Sequence, residues 1–70
     1  MDEKEEALIE LQYAAANMAS LYQEAIRNKF SPIIYNIRAD LLEARLRYSE
    51  ARKTLGLRYF DHEEGYYVET

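Results

Sequence analysis

Residues 28–35 read Asn-Lys-Phe-Ser-Pro-Ile-Ile-Tyr, and the reading of this stretch decides the fold. It parts two long segments that contain neither glycine nor proline. Ser31 is a favoured helix N-cap, and Pro32 follows at the first helical position, where its missing N–H costs nothing. Phe30 and Tyr35 are spaced as the two halves of a hydrophobic staple. One helix therefore ends near Asn28–Lys29 and a second begins at about residue 32. A connection of only about three or four residues makes the two helices antiparallel neighbours.

Working outward, the upstream segment carries an apolar ladder of Leu8, Leu11, Ala15, Met18, Tyr22 and Ala25. The downstream one carries Ile34, Ile37, Leu41, Ala44, Tyr48, Ala51 and Leu55. Both ladders step by threes and fours, the spacing of a helix-packing seam. Folding at about residue 30 predicts the rungs Ala25/Ile37, Tyr22/Leu41, Met18/Ala44, Ala15/Tyr48, Leu11/Ala51 and Leu8/Leu55. Most of these set a large side chain against an alanine, as interdigitating layers require. The expected fold class is all-α: an antiparallel two-helix hairpin, coiled-coil-like, over residues 1–57, with helices at about 3–28 and 32–55.

The helix ends agree with this. Asp2 with Glu5 three residues on makes an approximate capping box, and acids in the first turn suit the helix dipole. Arg52 and Lys53 fall in the last turn of the second helix. Gly56 is then placed as a left-handed cap, with Leu57 folding back. The tail, 58–70, changes character: Leu57-Arg58-Tyr59-Phe60 and Tyr66-Tyr67-Val68 are β-prone runs around a turn ending in Gly65. It reads either as a small β-hairpin or as a disordered acidic tail.

At 70 residues the chain has little core of its own, and it contains no cysteine and one histidine, His62. Disulfides and thiolate metal sites are thereby excluded, which leaves a partner polypeptide as the source of further stability. The formal charge of −4 is sharply segregated. Residues 1–26 carry six acids against Lys4, and residues 27–58 carry eight bases against Asp40, Glu43 and Glu50. The tail adds four acids. An acidic start and the lack of any run of ~20 apolar residues predict a soluble cytoplasmic protein, without a secretory signal or a membrane partner.

An apolar stripe lies outside the seam: Tyr35, Ala39, Leu42 and Leu46 on the second helix, and Ile9, Tyr13 and Ala16 on the first. A two-helix hairpin cannot bury two faces of each helix, so the excess marks a packing or binding surface. Three occupants are open: the chain's own tail, a second copy forming a four-helix bundle, or a different protein. Arg38, Arg45 and Arg52 recur every seven residues along one edge of the second helix. Their expected neighbours across the hairpin, Ile26, Ala19 and Gln12, are not acidic. The arginines either cover seam edges with their stems or meet phosphate or an acidic surface.

No catalytic, cofactor or metal site is expected. There is no Glu-x-x-His pair, no glycine-rich phosphate loop, and no histidine at a plausible place for Ser20, Ser31 or Ser49. The functional expectation is a non-enzymatic protein–protein interaction module, a homodimer or a small adaptor, chaperone or inhibitor, with no small-molecule substrate. Its contact residues would be Tyr35, Leu42, Leu46 and Arg45 on the second helix, with Tyr66 and Tyr67 as tail anchors. The alternative is a homodimeric RNA-binding regulator that uses Arg38, Arg45 and Arg52.

Overall fold

The computed structural model describes residues 2–70. Helix α1 spans Glu3–Arg27 and helix α2 spans Ile34–Thr54. Strands β1 (Tyr59–Asp61) and β2 (Tyr66–Val68) pair antiparallel, with Phe60 opposite Tyr67. The chain is mostly helical, the two helices fold back on each other, and the tail adopts the β-hairpin alternative.

The start of α1 is capped as expected: the Glu5 N–H donates to Asp2 Oδ1 at 2.8 Å. The end of α2 is a Schellman turn. Gly56 adopts φ +75°, the Leu57 N–H donates to the Arg52 carbonyl at 2.9 Å, and the Gly56 N–H donates to the Lys53 carbonyl at 3.1 Å. The start of α2 is a correction. Regular helix begins at Ile34 rather than about residue 32, after a tight turn in which the Ile34 N–H donates to the Ser31 carbonyl and the Asn36 N–H to the Ile33 carbonyl. Ser31 Oγ still accepts from the Ile33 N–H, at 3.4 Å. The staple is absent: Phe30 is 93% exposed and Tyr35 also faces solvent, so Phe30 covers nothing.

The α2 ladder sits where the spacing puts it, with Ile37, Ala44 and Ala51 buried and Ile34, Leu41, Tyr48 and Leu55 half-buried. The α1 ladder does not. The buried rungs are Ala7, Ala14 and Leu21, one residue earlier than Leu8, Ala15 and Tyr22, which stand at the surface. Leu11, Met18 and Ala25 serve both phases and stay half-buried. The register also moves by about one turn. Ala14 shares a groove wall with Ala44, Ala7 shares one with Ala51, and Leu21 packs in one cluster with Ile37 and Ala44. Alanine opposite alanine lets helices approach closely, at the short end of the usual interaxial range. That geometry selects the small-residue phase of α1 and leaves its larger side chains outside.

The hairpin packs beside α2, away from α1. Ser49 Oγ and His62 Nε2 share a hydrogen bond at 3.2 Å, and the Arg52 Nε–H donates to the Arg58 carbonyl at 2.6 Å. The turn is held by Asp61, whose Oδ1 accepts from the Glu63 and Glu64 N–H groups, and by Gly65 at φ +79°. The Thr70 hydroxyl closes the tail onto the Gly56 carbonyl. Helix, helix and hairpin thus lie side by side in a slab whose Cα extents are 40 × 28 × 13 Å. A stable domain ordinarily has two packed layers, and this slab has one.

Candidate functional site: a basic aromatic cleft beside an apolar row

The two broad faces of the slab differ in charge. On one, three adjoining grooves are lined by Glu3, Glu6, Glu10, Asp40, Glu43 and Glu50, with Arg47 as their cation. Arg47 donates to Glu43 Oε1 at 3.0 Å and reaches Glu10 Oε1 at 4.0 Å, across to α1. Both contacts are solvent-exposed, and such pairs contribute at most about 1 kcal/mol. Half of these acids, Asp40, Glu43 and Glu50, come from the basic segment of the sequence, so the sorting of charge by face follows from the fold.

The opposite face holds a cleft of about 450 Å³. Arg45, Tyr48, Ser49 and Arg52 of α2 meet Met18 and Tyr22 of α1 on one side. Arg58, Phe60, His62 and Tyr67 form the other. No acid lines it. The guanidiniums are positioned by aromatic rings: Arg58 lies 4.3 Å from the Tyr67 ring centroid and Arg52 lies 5.6 Å from that of Tyr48. The Phe60 ring meets Tyr67 and His62 edge-on, with centroids 5.1 and 4.9 Å away. Arg58 Nε is 3.0 Å from Glu69 Oε1. Among the described residues no acid lies within salt-bridge distance of Arg38, Arg45 or Arg52. Arg52 also donates to the Tyr48 hydroxyl at 3.4 Å.

From Tyr22 an apolar row continues along α1. Leu8, Ala15 and Tyr22 are spaced by sevens, with Ile26 one turn beyond, so they share a helix face. Leu8 and Tyr22 are 48% and 46% exposed, and Ile26 is more exposed still. Sequence spacing assigns Leu8, Ala15 and Tyr22 to the seam, so it misses this row.

The anticipated contact residues divide into groups. Arg45, Arg52 and Tyr67 converge on the cleft. Leu46 lies on the outer side of α2 in a crevice shared with Tyr59, Phe60 and His62, so the tail borders it without burying it. Tyr35 and Leu42 are exposed and take no part in the cleft. Arg38 continues the arginine edge one heptad before Arg45, outside the cleft lining. Tyr66, next to Tyr67 on β2, also lies outside that lining. Tyr22, Tyr48, Arg58, Phe60 and His62 are cleft residues that sequence reading did not single out as a site.

One expectation is overturned outright: Ser49 does have a histidine beside it. The Ser49–His62 pair resembles the first two members of a nucleophile–base relay, but Ser49 is buried and no carboxylate orients His62 among the described residues. Its evident work is to satisfy a buried hydroxyl and anchor the hairpin. Among the described residues no group of three or more His, Cys, Asp or Glu side chains could hold a metal ion, and no helix is long and apolar enough to cross a membrane. No protein-family model, curated protein or solved structure matches the chain.

Proposed function

We propose that this chain is a non-enzymatic protein–protein interaction module whose missing layer is supplied by a second copy of itself. The observation that carries this is the surface left open by a one-layer slab. The accessible surface is 5441 Å², whereas a compact monomer of 8.3 kDa exposes about 4,600 Å². The radius of gyration is 13.5 Å against about 11 Å for a compact chain of this length. The excess, about 840 Å², is close to the ~800 Å² that each partner buries in a standard interface.

The row of Leu8, Ala15, Tyr22 and Ile26 is the contact that suits a two-fold axis. Running antiparallel on its copy, it sets Leu8 against Ile26 of the second copy, Ala15 against its Ala19 and Tyr22 against its Gln12. An isologous contact needs such self-complementarity. Pairing α1 on α1 keeps the arginine edges of the two copies apart on the flanks, which avoids like-charge contact. The result is a four-helix assembly centred on α1 rather than on the outer edge of α2.

The test is charge insertion. Leu8→Asp or Ile26→Asp disperses the assembly while far-UV circular dichroism retains its helical signal, because neither side chain is buried within its own chain. Leu42→Asp leaves it intact. Dispersal by Leu42→Asp alone would move the contact back to the outer edge of α2.

A further inference from the structure

The arginine cleft lies on the same broad face as the apolar row but toward the hairpin side; the two share Tyr22, so pairing of α1 on α1 covers that edge of the cleft and leaves its α2 and hairpin walls open. Its chemistry is specific. Of its three guanidiniums, Arg58 is neutralised by Glu69, while Arg45 and Arg52 have no acidic partner among the described residues. Two positive charges thus remain uncompensated in a protein whose net charge is −4. Arg52 is also fixed, by the Arg58 carbonyl and the Tyr48 hydroxyl, so part of the cost of ordering it is already met. Arg45 keeps its full donor set. Tyr22, Tyr48, Phe60 and Tyr67 supply ring faces and edges around these charges.

We propose that the cleft binds an aromatic phosphate monoester presented by a polypeptide, that is, a phosphorylated tyrosine of a partner protein. A phosphate monoester carries about −1.5 to −2 charges near neutral pH and three acceptor oxygens, which matches two guanidiniums without an acidic partner. Arginine forks pair with phosphate in a bidentate way, and the ring bearing the phosphate finds aromatic neighbours for offset or edge-on packing. A carboxylate would neutralise only one of the two charges.

A nucleotide offers the same phosphate beside a flat ring, but the cleft is poorly made for one. No Asn, Gln, Asp or Glu lines it to read a base edge, and Ser49 is already committed to His62. The opposite face carries six acids in its grooves, which would repel an extended polyanion wrapping the slab. The choice of a polypeptide as carrier rests on the interaction-module reading.

The experiment is fluorescence polarisation with a dye-labelled peptide holding one phosphotyrosine among alanine and leucine residues. Comparison probes are its unphosphorylated and phosphoserine forms, inorganic phosphate, adenosine monophosphate and an RNA hairpin. Saturable binding of the phosphotyrosine peptide, at least about tenfold tighter than any comparison probe, is expected from the loss of charge-assisted bonds or ring contacts in each of them. Arg45→Ala, which removes no bond that holds the fold, lowers that affinity about tenfold or more, and Arg45→Lys restores only part of it. Arg38→Ala leaves the affinity unchanged. Equal binding of the unphosphorylated peptide, tighter binding of adenosine monophosphate or RNA, or indifference to Arg45→Ala would each overturn the proposal. Self-association is read separately by sedimentation: a dimer that ignores every peptide sinks this proposal and leaves the module reading standing.

Discussion

Leucine placed at two consecutive positions of α1 tests the packing phase directly. Ala14 is 3% exposed and lines one groove with Ala44 of α2, whereas Ala15 is exposed in the single chain. Leucine at position 14 must push apart two backbones that alanine allows close together. Overpacking of this kind costs about 1–3 kcal/mol. For a chain of this size, ~2 kcal/mol lowers Tm by roughly 8–16 °C and removes about half of the ~3–5 kcal/mol that such a core supplies. Leucine at position 15 meets nothing within its own chain, and its helix propensity is close to that of alanine, so in the dissociated monomer the change is a few tenths of a kcal/mol. Thermal and urea denaturation followed by far-UV circular dichroism, at one dilute protein concentration, reads both. A larger loss from Ala15→Leu than from Ala14→Leu would refute the phase, and with it the assignment of Leu8 and Tyr22 to an outer surface.

Two further outcomes follow from the tail and the helix end. Gly56→Ala destabilises by about 1–2 kcal/mol through backbone strain at positive φ, since a Cβ there meets nothing within 4 Å. A substitution without effect on the urea midpoint would show that the Schellman turn is not held. Ser49→Ala removes a hydrogen bond contributing about 0.5–1.5 kcal/mol, and amide exchange in 59–68 accelerates more than exchange in the helices. Uniform acceleration would mean that the hairpin and helices open as one unit.

Much of the hairpin was legible because its punctuation is strong. Asp2, the Ser31–Pro32 pair and Gly56 each bring a backbone requirement that few other residues meet, and all fall within three residues of a helix end. The α2 ladder was legible because charged residues flank its apolar positions closely enough to leave one phase. On α1 two adjacent rows are apolar, Ala7–Ala14–Leu21 and Leu8–Ala15–Tyr22. Preferring bulk chose the second row, whereas close approach through Ala44 and Ala51 favours the first. The cleft was illegible for a different reason. Its residues run from Met18 to Tyr67 and converge only because the hairpin swings onto α2 through Ser49 and His62. Periodicity along a helix carries no information about where a tail will land.

The central claim is that a second chain completes this one-layer slab, and sedimentation equilibrium of the unmodified chain over a wide concentration range tests it most directly. A species of twice the 8.3 kDa chain mass is expected, in concentration-dependent exchange with monomer. A folded monomer that keeps its single-chain mass at every concentration would contradict it.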